Sequence, residues 1–320
     1  MNCRFCDKKL NKIFADLGKS PFANSYLEKK QSGEKETFFP LKAYVCSNCF
    51  LVQLDQFEEP SKIFKNYAYM SSYSKTWLNH VKEFSESITK KFELKEKSKI
   101  TEIASNDGYL LKNFKKKNMS ILGIEPAKNV AKIAQKKKIP TVTRFFGEKT
   151  AKYVIKKYGR SDIVIAFNVL PHVPNLKDFV KGIKILLNEE GVAVIQFSAY
   201  LTHLIKNTGF DAIYHEHFSY FSLITLKKLF QSFGLTIFDI EEFGIHGGSL
   251  RLFLKHQKKN KYKISKEIIK KIQIEKKSGL DKIQTYEDYQ NKIIHVKMNI
   301  WKFLIKAKNE NKSIVGYGAP

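Results

Sequence analysis

The stretch Lys99-Ile100-Thr101-Glu102-Ile103-Ala104-Ser105-Asn106-Asp107-Gly108 decides the reading of the fold. It is a strand-like run that ends in a turn, where Gly108 lets the backbone swing sharply into a following helix. From Lys99 onward, strand-like runs recur at Ile121 to Ile124, Thr141 to Phe145, Asp162 to Phe167, Gly191 to Phe197, Leu235 to Glu241 and Ser249 to Lys255. Helical patterns separate most of them, at Tyr109 to Lys117, Lys128 to Lys137, Gly147 to Tyr158, Leu176 to Leu187 and Leu223 to Phe233. Such alternation implies a parallel, doubly wound α/β sheet with helices on both faces. The short Glu242 to Gly248 connection between the last two runs suits an antiparallel hairpin, so the sheet is expected to end in one antiparallel strand.

In a doubly wound sheet, ligands bind beyond the carboxyl ends of the strands, where the strand order reverses. The first such turn offers Glu102, Ser105, Asn106, Asp107 and Gly108. It matches a dinucleotide-binding Gly-x-Gly-x-x-Gly poorly, because Ala104 and Asn106 stand where glycines are expected. Glu125-Pro126 ends the next strand, and a carboxylate roughly twenty residues past the first turn commonly binds ribose hydroxyls. The missing glycines weigh against NAD and suit S-adenosylmethionine (SAM), which has no phosphates to cradle. Asp107 would then meet the cationic end of the cofactor. Asn168 and Val169, with His172, end the fourth strand and would line the methyl side, although His172 also reads as a structural histidine.

The run Gly209 to Arg251 carries the densest chemistry. Tyr214-His215-Glu216-His217 is followed by Phe218-Ser219-Tyr220-Phe221, and a polar knot, His246-Gly247-Gly248-Ser249-Leu250-Arg251, comes after one helix and one strand. That concentration of titratable and aromatic groups suits a proton-transfer site. The other reading is a packed loop whose histidines cap helices.

The four cysteines form one pattern, Cys3-x-x-Cys6 and Cys46-x-x-Cys49, with none left over. Two such knuckles bring four thiolates onto one zinc ion in a closed, structural site. Residues 1–58 therefore read as a zinc-ribbon-like module with a polar loop at Ser32-Gly33-Glu34-Lys35-Glu36. Residues 59–95 read as a helical connector holding Tyr67-Ala68-Tyr69-Met70-Ser71-Ser72-Tyr73-Ser74 and a helix with Trp77, Val81, Phe84 and Ile88 on one face. Residues 96–258 make the sheet domain. Residues 259–320 start helical, with an apolar stripe that includes Ile268, Ile269, Ile272, Tyr289, Ile293, Val296, Ile300, Phe303 and Leu304. They finish as a strand running into Gly316-Tyr317-Gly318, which is how a second nucleotide-binding sheet begins. The expectation is a chain that is incomplete at this end.

A length of 320 residues and a hydrophobic fraction of 43% suit two or three packed domains. No apolar run approaches the ~20 residues a membrane span needs, and no signal-peptide core follows Met1, so the cytoplasm is the expected compartment. The net charge of +26 comes mostly from lysines dispersed over helical faces. It permits an acidic ligand, but no arginine-rich patch interleaved with aromatics supports nucleic acid as a partner.

In this order the parts resemble the class I, SAM-dependent C-methyltransferases that act on nucleotide-linked keto-deoxysugars. The resemblance spans Cys3 to Pro320 and is carried by the paired knuckles, Tyr69 to Ser74, Ser105 to Gly108, Gly123 to Ala127, Asn168 to Leu170 with His172, Phe210 to Phe221, and His246 to Arg251. It implies an N-terminal zinc domain, a class I methyltransferase sheet and a Rossmann-like C-terminal α/β domain that is truncated here. It also implies His217 as general base, Tyr214 and Glu216 assisting, and Tyr73, in preference to Tyr69, reaching in. Tyr69, Ser72, His246, Gly247, Ser249 and Arg251 would contact the sugar nucleotide. Ser198-Ala199-Tyr200 departs from the family, which usually has a proline after the fifth strand.

Chemistry supports these roles separately. Carbon becomes nucleophilic only once the C–H beside a ketone is broken, and an imidazole of pKa ~6.5 is a weak base for that. Hydrogen-bond donors must stabilise the enolate as it forms. Oxygen methylation needs only a hydroxyl and one base. A zinc-ribbon RNA methyltransferase, suggested by the charge, and a non-catalytic SAM- or nucleotide-binding protein are the alternatives.

Overall fold

A computed structural model describes residues 1–23, 33, 35–64, 67, 69–198 and 200–316. Parts of the expected polar loop, Ala68, Ala199 and the final Tyr317 to Pro320 lie outside the described residues. The elements run β1 (Lys12–Ser20), β2 (Phe39–Val45), β3 (Val52–Leu54), α1 (Pro60–Ile63), α2 (Lys75–Lys91), β4 (Lys99–Ile103), α3 (Leu111–Lys115), β5 (Ser120–Ile124), α4 (Lys128–Lys136), β6 (Thr141–Val142) and α5 (Glu148–Tyr158). They continue β7 (Ser161–Phe167), α6 (Leu176–Leu186), β8 (Leu187–Phe197), α7 (Leu201–Asn207), β9 (Ser219–Tyr220), α8 (Leu223–Ser232), β10 (Leu235–Phe243), β11 (Ser249–His256), α9 (Lys266–Lys277), α10 (Ile283–Glu287) and α11 (Tyr289–Asn309).

Local sequence explains the central elements. Ser74 caps α2 by accepting from the backbone N–H of Trp77, and Lys90 and Lys91 sit in the last turn against the helix dipole. Trp77, Val81, Phe84 and Ile88 bury one stripe of that helix against the sheet. Strand β7 from Ile163 and strand β8 from Gly191 are buried and almost wholly apolar because helices cover both faces.

The large sheet has the order β10-β11-β8-β7-β4-β5-β6. Pairings among β8, β7, β4, β5 and β6 are parallel. The chain builds β4, β5, β6 outward and then returns to β7 and β8, so the order reverses between β4 and β7. This is the class I methyltransferase layout. One expectation is corrected: antiparallel β11 lies inside the sheet, between β8 and β10, rather than at its end. Its Leu250 to Leu254 are buried on both faces and need cover from both sides, whereas β10 carries exposed Glu242 and tolerates the edge.

A second sheet, β1-β2-β3-β9, belongs to the cysteine-bearing module. Its fourth strand, β9, comes from the segment just after His217, so this sheet does not stop at residue 58. The C-terminal helices pack on the same module, where Tyr289 stacks on Phe14 with ring centroids 4.5 Å apart. Glu275 of α9 is buried and accepts hydrogen bonds from the backbone N–H groups of Leu223 and Ile224 (2.7 and 2.9 Å) and from the hydroxyls of Tyr200 and Thr202. It thereby caps α8 and fastens the segment after β8.

Three further features differ from the sequence reading or add to it. Helix α7 occupies a stretch that was given no element. Lys312 to Gly316 is not a strand, and Val315 is 89% exposed. In the C-terminal stripe, Ile268, Tyr289 and Ile293 are buried, but Ile269, Ile300 and Phe303 are exposed, because only the first turns of α11 meet the zinc module. Among the described residues no helix is long and apolar enough to cross a membrane.

Candidate active site

The reversal between β4 and β7 opens a cavity of about 790 Å³ at the carboxyl ends of the strands. One of its walls is the turn after β4. Ala104 (φ 55°) and Asn106 (φ 47°) take the left-handed conformation that glycine would supply, and Gly108 follows at φ 78°. The backbone path of a glycine-rich turn is thus kept without its glycines, easily by asparagine and at about 1 kcal/mol by alanine. A Cβ on Gly108 would sit 2.3 Å from the Cδ1 tip of Ile139, which would have to move, and the positive φ strains any other residue there.

Glu125 closes the turn from the next strand. One carboxylate oxygen accepts from the Asn106 N–H (2.9 Å) and the other from the Ala127 N–H (2.8 Å). Each oxygen keeps a second lone pair, and the residue lines the cavity with Pro126. Burial pushes the Glu125 carboxyl up, and the two backbone N–H groups work against that. The Asn106 side chain accepts from Ser71 N–H and donates to the Tyr69 carbonyl (both 3.1 Å), clipping the connector onto the turn. At the end of β7, Asn168 (φ 53°) and Val169 line the cavity, and Asn168 Oδ1 is buried without a hydrogen-bond partner.

Asp107 behaves differently from expectation. It does not line the cavity, and its Oδ2 pairs with Lys137 Nζ at 2.8 Å. Glu102 is fully buried behind Tyr109, and burial pushes both groups well above their usual values. Ser105 is buried beneath the turn, with its hydroxyl against the position a Gly123 Cβ would take.

Opposite this wall lies the loop from Gly209 to Phe221. The His217 Nδ1 faces the Ala212 carbonyl at 3.2 Å, and a carbonyl only accepts, so Nδ1 carries the proton. Nε2 therefore offers a lone pair, and the Tyr214 hydroxyl donates to it at 2.8 Å. Burial and the adjacent His172 hold the His217 imidazole well below its usual value. His172 donates from Nδ1 to the Glu216 carbonyl (2.9 Å), its ring centroid lies 4.7 Å from that of His217, and burial lowers it to about 4. Both rings, with Tyr214, line the cavity. Glu216 is buried, and its charge helps to push the phenols of Tyr214 and Tyr67 up.

Tyr67 is the residue that sequence reasoning passed over. It lines the cavity, and burial, together with the charges of Glu216 and Glu125, pushes its phenol up. Asn129 holds its backbone in both directions, at 3.1 and 2.8 Å. Tyr69 also lines the cavity, but Tyr73 is 70% exposed and does not. The one available signal was the tyrosine run itself, which does not say which ring turns inward.

Of the polar knot, Gly247, Ser249 and Arg251 do not line the cavity, and the side chain of His246 lies outside the described residues. Gly247 (φ 72°) and Gly248 (φ 114°) turn the chain between β10 and β11, with His246 in that turn. Ser249 is buried and donates to the Ile245 carbonyl. Arg251 is also buried, hydrogen-bonded to Gln196 (2.7 and 3.0 Å) and paired with Glu241 (2.6 Å), with its guanidinium over Phe84 and Phe243. Ser72 sits in the short turn before α2 and does not line the cavity.

The four cysteine Sγ atoms lie within 4.8 Å of one another, with Cys3–Cys49 and Cys6–Cys46 each at 3.5 Å. A tetrahedral zinc with Zn–S ~2.3 Å needs S···S spacings of about 3.8 Å, so the donor set fits the ion. With four thiolates the site is closed, and such a metal stabilises the fold.

Three family models match the chain in sequence: a zinc binding domain over residues 3–64, a methyltransferase domain over 75–240 and a C-methyltransferase C-terminal domain over 244–320. The C-methyltransferase NovU of Streptomyces niveus is 28% identical over 318 residues, spanning 99% of this chain and 75% of the relative. Among solved structures, PH0226 from Pyrococcus horikoshii OT3 is similar at TM-score 0.45 and 13% identity, over 62% of this chain and 99% of that one. Magnesium protoporphyrin IX methyltransferase from Synechocystis PCC 6803 gives 0.41 and 14%, over 55% and 78%.

Proposed function

We propose, from the premise that the chain belongs to the methyltransferase family and is a SAM-dependent C-methyltransferase with a structural zinc module, that its acceptor is a nucleotide-linked keto-deoxysugar methylated beside the ketone. The observation that carries this reading is one cavity with a cofactor-side carboxylate, Glu125, on one wall and the His217–Tyr214 pair on the other.

Glu125, Asn168 and the turn after β4 would hold the cofactor. The lone pairs that Glu125 keeps match ribose hydroxyls, and the unpartnered Asn168 Oδ1 awaits a donor. When bound, SAM supplies a methyl group on a sulfonium, electrophilic enough for attack by carbon. This chain's residues prepare the carbon. His217 Nε2 takes the proton from the C–H beside the ketone once the substrate displaces the Tyr214 hydroxyl from that lone pair. Tyr214 then turns its O–H to the enolate oxygen. Tyr67 can donate to the same oxygen, because burial and Glu216 keep both phenols protonated.

The test is incubation of the protein with labelled SAM and a panel of nucleotide-linked keto-sugars. Label on a sugar carbon is the expected result; label on RNA, or on a sugar oxygen, would overturn the assignment. Glu125→Ala is expected to weaken SAM binding by about tenfold or more, since hydrogen bonds to a charged group are lost. Calorimetric titration checks this, and unchanged affinity would remove Glu125 from the site.

The acid limb of the pH profile follows from His217. Protonation occupies the lone pair, so the base works only above its pKa, which burial holds well below 6.5. The kcat/KM for the sugar is therefore expected to stay level as the pH falls through 6.5, and to drop only at lower pH. A drop centred at or above 6.5 would mean that the working base is not this buried ring.

A further inference from the structure

The zinc module does more than sit beside the methyltransferase sheet; its third strand is hydrogen-bonded to the loop that carries His217. Val52 pairs with Tyr220 and Gln53 with Ser219, two residues beyond His217, and Leu54 N–H donates to the Phe218 carbonyl at 3.1 Å. The side chain of Gln53 is fully buried and points the other way along the same route. Its Nε2 donates to Cys3 Sγ (3.4 Å), and its Oε1 accepts from the N–H of Arg4, the residue after that cysteine (2.9 Å). Arg4 in turn donates to the Leu54 carbonyl at 2.6 Å and lies 5.5 Å from the Phe218 ring.

We propose that Gln53 is a positioning residue that ties the thiolate cluster to the catalytic loop, so that occupancy of the zinc site sets the placement of His217. An amide N–H fits this place because it stabilises a thiolate, and such outer partners orient a metal site. A glutamate there has the same shape but no donor, and would put a negative charge against sulfur. The link from metal to base is thus one side chain and one pair of backbone ladders, with no chemistry of its own. Only the turnover arm of the test rests on the proposed role of His217.

The experiment measures amide hydrogen exchange over residues 213–221 in the full chain, before and after a zinc chelator, and in Gln53→Met and Gln53→Glu. Zinc content and SAM affinity are measured alongside. Both variants are expected to keep zinc and to bind SAM within about twofold, while exchange over 213–221 quickens and kcat falls about tenfold, the cost of a buried group left unpaired. Exchange in β7 should stay as slow as in the parent, which general destabilisation would not allow. Chelation of the parent should quicken the same 213–221 segment. Rescue by Gln53→Glu, which preserves shape, would sink the idea, as would slow exchange over 213–221 after the metal is removed. Faster exchange with unchanged kcat would uphold the tie and overturn the role of His217 instead.

Discussion

His217→Ala is expected to bind SAM as the parent does and to lose methyl transfer by about a hundredfold to ten-thousandfold, the usual contribution of a positioned base. The ring lies on the wall opposite Glu125, so cofactor contacts survive its loss. Its replacement also leaves the Tyr214 hydroxyl and the Ala212 carbonyl without their partner, and the loop must be shown to stay folded. His217→Asn serves that purpose, since its amide can still donate to Ala212 while its basicity is gone. Single-turnover transfer with labelled SAM measures the loss. A variant that retains transfer would remove His217 as base and move attention to His172, whose Nε2 is also free to accept.

The second large effect is that of the metal. Structural zinc in small modules is worth ~10–16 kcal/mol of apparent binding energy, as large as the ~5–15 kcal/mol that holds a whole domain together. Cys46→Ser is therefore expected to abolish zinc binding and to leave the β1-β2-β3 sheet unfolded at room temperature. Because β9 belongs to that sheet and Thr225 of α8 donates to the Cys49 carbonyl, the damage should reach the loop that carries His217. Metal analysis and a thermal melt followed by near-ultraviolet dichroism check this. A metal-free protein that melts like the parent would show that the thiols pack without an ion.

Much of the fold was legible because its signals are short-range. Trp77, Val81, Phe84 and Ile88 repeat at helical spacing and do form the buried stripe of α2. Apolar runs of strand length became β4, β5, β7 and β8 at nearly the expected places. The interior position of β11 was not legible, since a hairpin says that two strands are neighbours but not which of them meets the rest of the sheet. Helix α7 was missed because Leu201, Leu204 and Ile205 make only about two turns, too few for a period to show. On the C-terminal helices the sequence shows an apolar stripe, but apolar spacing says which residues share a face, and not whether anything covers it.

The site divides in the same way. Residue types and positions marked Glu125, Asn168 and the cluster Tyr214 to His217, because a strand-end carboxylate and a dense titratable run are local features, and the family resemblance singled out His217 within that cluster. Choosing Tyr67 over Tyr73 needed Asn129, whose side chain holds the backbone of Tyr67 from 62 residues away. Moving Asp107 out of the cavity needed Lys137, and burying Arg251 needed Gln196 and Glu241.

By itself the sequence determined the cysteine quartet and the alternating sheet, since each depends on spacing within one strand or knuckle, and it marked the dense titratable cluster from which the family resemblance singles out His217. Tertiary structure alone decided which groups face one another. It made β9 the fourth strand of the zinc module's sheet and set Gln53 between the Cys3 sulfur and the loop that carries His217. The physical reason is that burial and hydrogen-bond satisfaction are shared among distant segments, so each partner is fixed only when the whole chain has packed.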